Sequence, residues 1–258
     1  MKISIITATY NSASHIAGCL ASVNNQSHKN IEHIIIDGAS TDNTLEIIKS
    51  TLAKGQANRG TQIISEPDTG IYDALNKGIQ HATGDIIGFL HADDTFASPH
   101  TLQNIADSFS PLGGDKEGAV DGIYGHLVFV NNEKKVLRTW HSKPFNRTNV
   151  HYGWAPPHPT LFLKKEVYQK HGLFDTSFRI AGDYDFMLRI MLDQELNFQL
   201  LPEVITRMQL GGASTGNLKS QIKKTREDMK ALQNNGFKMP LFTLGAKKFR
   251  KIPQWLKR

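Results

Sequence analysis

A single cysteine, Cys19, occurs in the 258-residue chain, so no internal disulfide can form and a reducing compartment fits. No apolar run approaches the roughly 20 residues needed to cross a bilayer. The first residues lack the charged start and long apolar stretch of a secretory leader, and they read as a core strand instead. Eleven histidines are present without a His-Glu-x-x-His or paired-cysteine motif, so a zinc site is not expected. No Gly-x-Gly-x-x-Gly follows the first apolar run, and no Gly-x-x-x-x-Gly-Lys-Ser/Thr occurs. The glycine cradles of dinucleotide enzymes and P-loop ATPases are therefore excluded. Acids are the scarcer charge, 24 against 30 Lys and Arg. The imbalance is local: residues 217–258 hold 12 Lys/Arg and two acids, a balance of +10 that leaves the rest at −4.

What is present begins with four strand-length apolar runs. Ile3–Ala8, Ile31–Ile36, Thr61–Ser65 and the run from Ile86 are nearly continuous rather than alternating, the pattern of strands covered on both faces. Between them, helical spacing recurs at Ile16, Leu20 and Val23, at Leu45, Ile48 and Leu52, and at Ile71, Leu75 and Ile79. Ser40-Thr41-Asp42 supplies a helix-start signal. The alternation predicts βαβ units, a mostly parallel central sheet and helices on both its faces. Ligands of such sheets bind beyond the carboxyl ends of the strands. All four ends here carry polar residues, the last being Asp93-Asp94. Two adjacent carboxylates are costly to bury unpaired. They suit Mg²⁺ or Mn²⁺, hard cations that complete their shells with substrate phosphates. An Asp-rich turn is the plain alternative.

The second half is less regular. Ser98–Phe109 predicts a helix, Pro111–Asp121 a loop, and Ile123–Val130 with Lys135–Trp140 a hairpin. The proline-rich segment Tyr152–Thr160 cannot lie inside a helix. Its Trp154 and His158 suit contacts to a sugar and a phosphate, or else a rigid loop with Trp154 in the core. Locally, Asp183 reads as an N-cap ahead of Phe186, Ile190 and Met191. Asp73 and Lys77 read as an i,i+4 pair. Met208–Gly216 is rich in glycine and could close as a lid. The last 13 residues interleave cations with Phe249, Ile252, Trp255 and Leu256, which suits the surface of an anionic bilayer. No recognition helix or base-stacking fold supports nucleic acid as a partner.

Taken in order, Thr7–Asn11, Ile36–Asp42, Ser65–Gly78, Gly84-Asp85, Ala92-Asp93-Asp94 and Ala181–Phe186 make the chain resemble the family 2 glycosyltransferases over roughly residues 1–210. The resemblance implies a GT-A fold over 1–216, with a nucleotide-binding half (1–94) and an acceptor half (95–216), followed by a basic C-terminal helix and tail (217–258). It implies Thr9, Tyr10 and Asn11 at the nucleotide, Asp37 on the base, Asp68 at the nucleotide or ribose, and Asp93 and Asp94 at the metal. Asp94 is the direct ligand in that scheme. Asp183 falls at the catalytic base, with Asp185 as the alternative, and Tyr72, Trp154 and His158 at donor or acceptor. Gly182 departs from relatives that carry an acid there, and His91 from those with Asn or Asp. The absence of Gln-x-x-Arg-Trp implies one sugar per encounter. The implied activity is inverting transfer of a hexose or N-acetylhexosamine, from a UDP-sugar above all, to a lipid-linked or surface-polysaccharide acceptor. The implied location is cytoplasmic, at the inner face of the membrane. The competing classes are a catalytically silent nucleotide-sugar-binding module and a nucleotidyltransferase. The latter wants a glycine-rich basic loop that Thr9–Ile16 does not provide.

Overall fold

The continuous apolar runs divide between two cores because strand side chains alternate faces. In the computed structural model, which describes residues 1–53, 60–110, 119–210 and 218–249, the first strand β1 (Ile3–Thr9) sends Ile3 and Ile5 to one side and Ile6 to the other. Strand β2 (Ile31–Asp37) divides likewise, Ile31 and Ile35 against Ile34 and Ile36. Helices α1 (Ile16–Asn24) and α2 (Thr44–Ala53) cover the first face, burying Cys19, Leu20 and Ile48. Helix α3 (Ile71–His81) covers the second. With β3 (Thr61–Ser65) and β4 (Ile86–Phe89) these strands form a parallel half-sheet in the order β3-β2-β1-β4.

One predicted stripe shifts by a residue. Ile71 is 42% exposed, and Tyr72 takes its place inward with Leu75 and Ile79. Ile71 opens the helix, where its side chain overhangs the cleft.

Beyond β4 the sheet is mixed. After the short β5 (Thr95–Phe96), helix α4 (Thr101–Phe109) starts three residues later than its pattern predicts. Strands β6 (Gly122–Val130) and β7 (Val136–Trp140) form the expected antiparallel hairpin. Helix α5 (Arg147–His151) leads to a 3-10 turn at His158–Thr160, then β8 (Phe162–Lys164) and α6 (Lys165–His171). Strand β8 joins β4 to β6 with antiparallel pairing on both sides. Helix α7 (Gly182–Met191) precedes β9 (Phe198–Gln209), which runs parallel to β6 and pairs with β5. Pro202 argues against a strand in the sequence. It is accommodated where the β6–β9 register shifts between Tyr124 and His126, since a bulge needs no ladder donor.

Helices α8 (Leu218–Asn234) and α9 (Pro240–Phe249) bury Ala231, Leu232 and Leu244 in the core that holds α7. No described helix is long and apolar enough to cross a membrane. The predicted loop at 111–118, the lid segment at 211–217 and the tail at 250–258 lie outside the described residues.

Candidate active site

Three loops at the carboxyl ends of β1, β2 and β3 are tied together by short polar side chains. Asn11 sits at φ 48°, a conformation Asn tolerates better than most residues. Its Oδ1 accepts from the Thr41 N–H at 2.9 Å, and its own N–H donates to Ser40 Oγ at 2.8 Å. Asp42 Oδ1 accepts from the Thr44 N–H, which realises the predicted helix-start signal. Asp37 is fully buried; its carboxylate accepts from the Ser40 N–H at 3.0 Å, the Ser40 hydroxyl at 2.5 Å and the Ser65 hydroxyl at 2.7 Å. That carboxylate holds the loops in register. Thr9 is also buried, with an unpartnered hydroxyl. Tyr10 is 62% exposed, a bare ring beside the half-buried Asp68. Gly38 lets them meet: a Cβ there would lie 2.4 Å from Asp68 Oδ2 and 3.5 Å from the Tyr10 ring. Lys77 is held by Glu66 at 2.7 Å and the Pro67 carbonyl at 3.0 Å, with Asp73 at 3.8 Å, so it serves the loop after β3.

Asp93 and Asp94 follow β4 with different surroundings. Asp93 lines a cleft of about 980 Å³. Asp94 is fully buried; its Oδ1 accepts from the Gln209 N–H at 3.2 Å, and its Oδ2 has no partner. Burial, then the neighbouring charge of Asp93, pushes the Asp94 carboxyl well above the usual range. An orphaned buried carboxylate oxygen beside a second carboxylate fits a hard divalent cation. No group of three or more ligating side chains exists among the described residues. The protein's offer is thus these two acids, and phosphate oxygens would complete the shell. His91 faces the same cleft. Burial lowers its pKa against the pull of Asp93 and Asp183, so it stands as a neutral wall.

Asp183 reaches the cleft from α7. It is not the N-cap, a position held by Ala181; it lies in the first turn, and its Oδ1 accepts from the Tyr184 N–H at 2.8 Å. The Tyr72 hydroxyl donates to the Ile180 carbonyl at 2.8 Å and lies 3.3 Å from Asp183 Oδ1. Gly182 makes room for that phenol: a Cβ at 182 would approach the Tyr72 ring to 2.9 Å. The departure from an acid at 182 therefore has a steric partner in Tyr72. Burial alone would raise the Asp183 pKa; His158, Lys224, the Tyr184 N–H and Lys247 outweigh it and hold the carboxyl below its usual value. Burial pushes His158 down to about 4, so near neutral pH the lysines supply the positive field. Asp185 points elsewhere. It is buried against Arg189 at 3.1 Å and Asn235 at 3.1 Å, and it ties α7 to α8.

The opposite walls come from the irregular half. His158 stacks on Phe89 with centroids 5.2 Å apart. Trp154 lines the cleft while its ring meets Tyr124 at 5.7 Å, so the side chain belongs both to the core and to the cleft wall. Trp140, on β7, adds a second indole that the sequence reading missed. Arg138, Lys143, Arg179, Lys224 and Lys247 also line the cleft, against the carboxylates of Asp93 and Asp183. These cations lie on β7, the loops and the two terminal helices. No local motif marks them, because only tertiary packing brings them together.

Residues 4–172 match the family described as Glycosyl transferase family 2. An uncharacterized glycosyltransferase of Mycobacterium tuberculosis (strain CDC 1551 / Oshkosh) is 33% identical over 196 residues, 74% of this chain and 69% of that protein. This chain belongs to glycosyl transferase family 2. A PGL/p-HBAD biosynthesis glycosyltransferase of Mycobacterium bovis (strain BCG / Pasteur 1173P2) is 30% identical over 213 residues, 79% of this family 2 chain and 72% of the relative. The fold matches the crystal structure of S. aureus TarS 1-349 in complex with UDP, with a TM-score of 0.70 at 19% identity over 98% of this chain and 72% of that one. It likewise matches the mannosyltransferase PcManGT from Pyrobaculum calidifontis in complex with GDP-Man and Mn²⁺, with a TM-score of 0.68 at 18% identity over 98% and 70%. The chain is a glycosyltransferase with the GT-A fold.

Proposed function

We propose that the protein is a metal-assisted, inverting and non-processive hexosyltransferase. It moves a hexose or N-acetylhexosamine from a nucleoside-diphosphate sugar, UDP-linked in preference to GDP- or dTDP-linked, to a lipid-linked or surface-polysaccharide acceptor. The observation that carries this reading is that Asp93 and Asp183, from different elements, line one cleft, and that Asp183 is held ionised there. A relative named for PGL/p-HBAD biosynthesis and fold neighbours in complex with UDP and GDP-Man support the substrate class.

The roles follow from the chemistry of each side chain. Tyr10 offers its exposed ring to the base, and Asp68 and Asn11 lie beside it for base and ribose. The hydroxyl of Thr9 is free to donate. Asp93 and Asp94 would hold Mg²⁺ or Mn²⁺, which when bound would supply Lewis-acid stabilisation of the leaving diphosphate. Asp183 accepts the proton of the acceptor hydroxyl as that oxygen attacks the anomeric carbon from the face opposite the diphosphate. A single displacement inverts that carbon. Tyr72 fixes the carboxylate, and His158 and His91 exclude water beside it. Trp140 and Trp154 present faces for a sugar ring. The basic tail at 246–258 holds the enzyme at the inner face of the cytoplasmic membrane.

The test is donor turnover across UDP-, GDP- and dTDP-sugars with and without Mn²⁺. Nucleotide release with one donor class and Mn²⁺ is the expected result. Tight UDP binding with no turnover on any donor or acceptor would instead mark a silent binding module.

A further inference from the structure

The start of α9 turns its large apolar side chains outward. Leu241 is 76% exposed, Met239 66%, and Phe242 56%. Tyr152, 44% exposed at the end of α5, meets Phe242 with ring centroids 6.2 Å apart, so the patch is continuous across two elements. The helix is firmly seated on its other side. Leu244 is buried, Thr243 donates to the His151 carbonyl at 3.0 Å, and Lys247 pairs with Asp228 at 2.9 Å. The exposure is therefore a property of a packed helix.

The charge around the patch selects its occupant. Between residues 218 and 249 the only acids are Glu227 and Asp228. Glu227 is consumed by the N–H groups of Arg179, Ile180 and Ala181, and Asp228 by Lys247. The described surface of α8 thus shows cations at Lys223, Arg226 and Lys230, and the exposed Lys238 precedes Met239 in the link to α9. Four apolar side chains fall far short of the roughly 20–30 residues per side of a stable protein interface. A small apolar tip beside the exposed Lys238 suits shallow insertion into an anionic leaflet.

We infer that Met239, Leu241, Phe242 and Tyr152 form a membrane-insertion tip that docks the enzyme on anionic phospholipid. This deepens the lipid-linked-acceptor reading and rests on it for its purpose. Tyr152 is followed directly by Gly153 and Trp154, which line the cleft, as does Lys247 on α9. Docking by this tip sets the cleft beside the bilayer surface, where a lipid-linked acceptor presents its sugar.

The test uses the full chain with phosphatidylcholine vesicles, with and without phosphatidylglycerol. Wild type should sediment with the anionic vesicles, and the double variant Leu241→Glu/Phe242→Glu should lose about tenfold in bound fraction. Nucleotide-sugar turnover without vesicles should stay unchanged, since neither residue lines the cleft. A separate Phe242→Trp variant should show an emission blue shift on vesicle addition beyond that of wild type. Equal sedimentation of wild type and double variant would overturn the tip. So would concentration-dependent self-association of wild type that the double variant abolishes, without vesicle binding. Loss of turnover in every form with sedimentation intact would instead count against the transferase reading alone.

Discussion

Asp183, Asp93 and Asp94 are three carboxylates given different work by their surroundings. Asp183 accepts from a backbone N–H and faces a phenol, surroundings that suit the proposed base. Asp183→Asn keeps the size and the contacts but removes the proton acceptor. Turnover should fall at least about 100-fold while calorimetric UDP affinity with Mn²⁺ is retained; unchanged turnover would dismiss it as the base. Asp94 has a buried oxygen without a partner. Asp94→Ala should abolish the Mn²⁺-dependent part of UDP binding, measured by titration with and without the metal. Glu32 is the structural counterpart. Burial opposes its charge, yet Lys2, Ser4 and Thr83 hold its pKa down to about 2 from 4.5. A depressed folded pKa contributes stability that is full above the unfolded value and lost as pH falls from about 4.5 towards 2. Glu32→Gln should lose on the order of 2–3 kcal/mol near pH 7 and little near pH 2, read from urea unfolding at the two pH values.

At the scale of elements, the N-terminus of α7 decides where the proposed base sits. The segment that enters α7 is held from α8: Glu227 Oε2 accepts from the N–H groups of Arg179, Ile180 and the N-cap residue Ala181 at 3.0, 2.7 and 2.9 Å. A negative charge there also complements the helix dipole. Glu227→Ala should cost about 1–2 kcal/mol, a fall in Tm of roughly 3–8 °C. Turnover should fall more than nucleotide affinity, because Asp183 loses its frame; Glu227→Gln should recover part of both. Equal Tm and turnover in Glu227→Ala would show that α7 holds its position unaided. Sequence spacing revealed α7 through Phe186, Ile190 and Met191, but not the anchor of the segment before it, since Glu227 lies 46 residues beyond Ala181. Strand β9 was hidden for a different reason: Pro202 is a strand breaker unless a register shift absorbs it, and that shift belongs to the pairing with β6.

Across the whole molecule, the terminal helices complete the cleft as well as carrying charge. Lys224 and Lys247 line it, and Lys247 Nζ lies 3.1 Å from the centroid of Tyr184. Removing residues 246–258 would take away this lysine together with the basic tail. Truncation after Phe249 keeps Lys247 and tests the proposed membrane role of the tail alone. It should move protein from the membrane to the soluble fraction in part while leaving nucleotide-sugar turnover unchanged. An unaltered fractionation pattern would assign the tail another purpose.

The order of apolar runs, helical stripes and polar strand ends settled the parallel half of the sheet and the placing of Asn11 and Asp93 at one cleft, while Asp183, locally only a helix-start acid, was marked by the family resemblance. These features are local: a strand declares itself by β-branched continuity, and its carboxyl end by the first residue that cannot be buried. Tertiary structure decided the rest. It turned Asp37 inward onto Ser40 and Ser65, spent Asp185 on Arg189 and Asn235, and gathered Arg138, Arg179, Lys224 and Lys247 from distant segments into one wall. A side chain's partner, unlike its periodicity, depends on which residues the completed fold brings within a few ångströms of it.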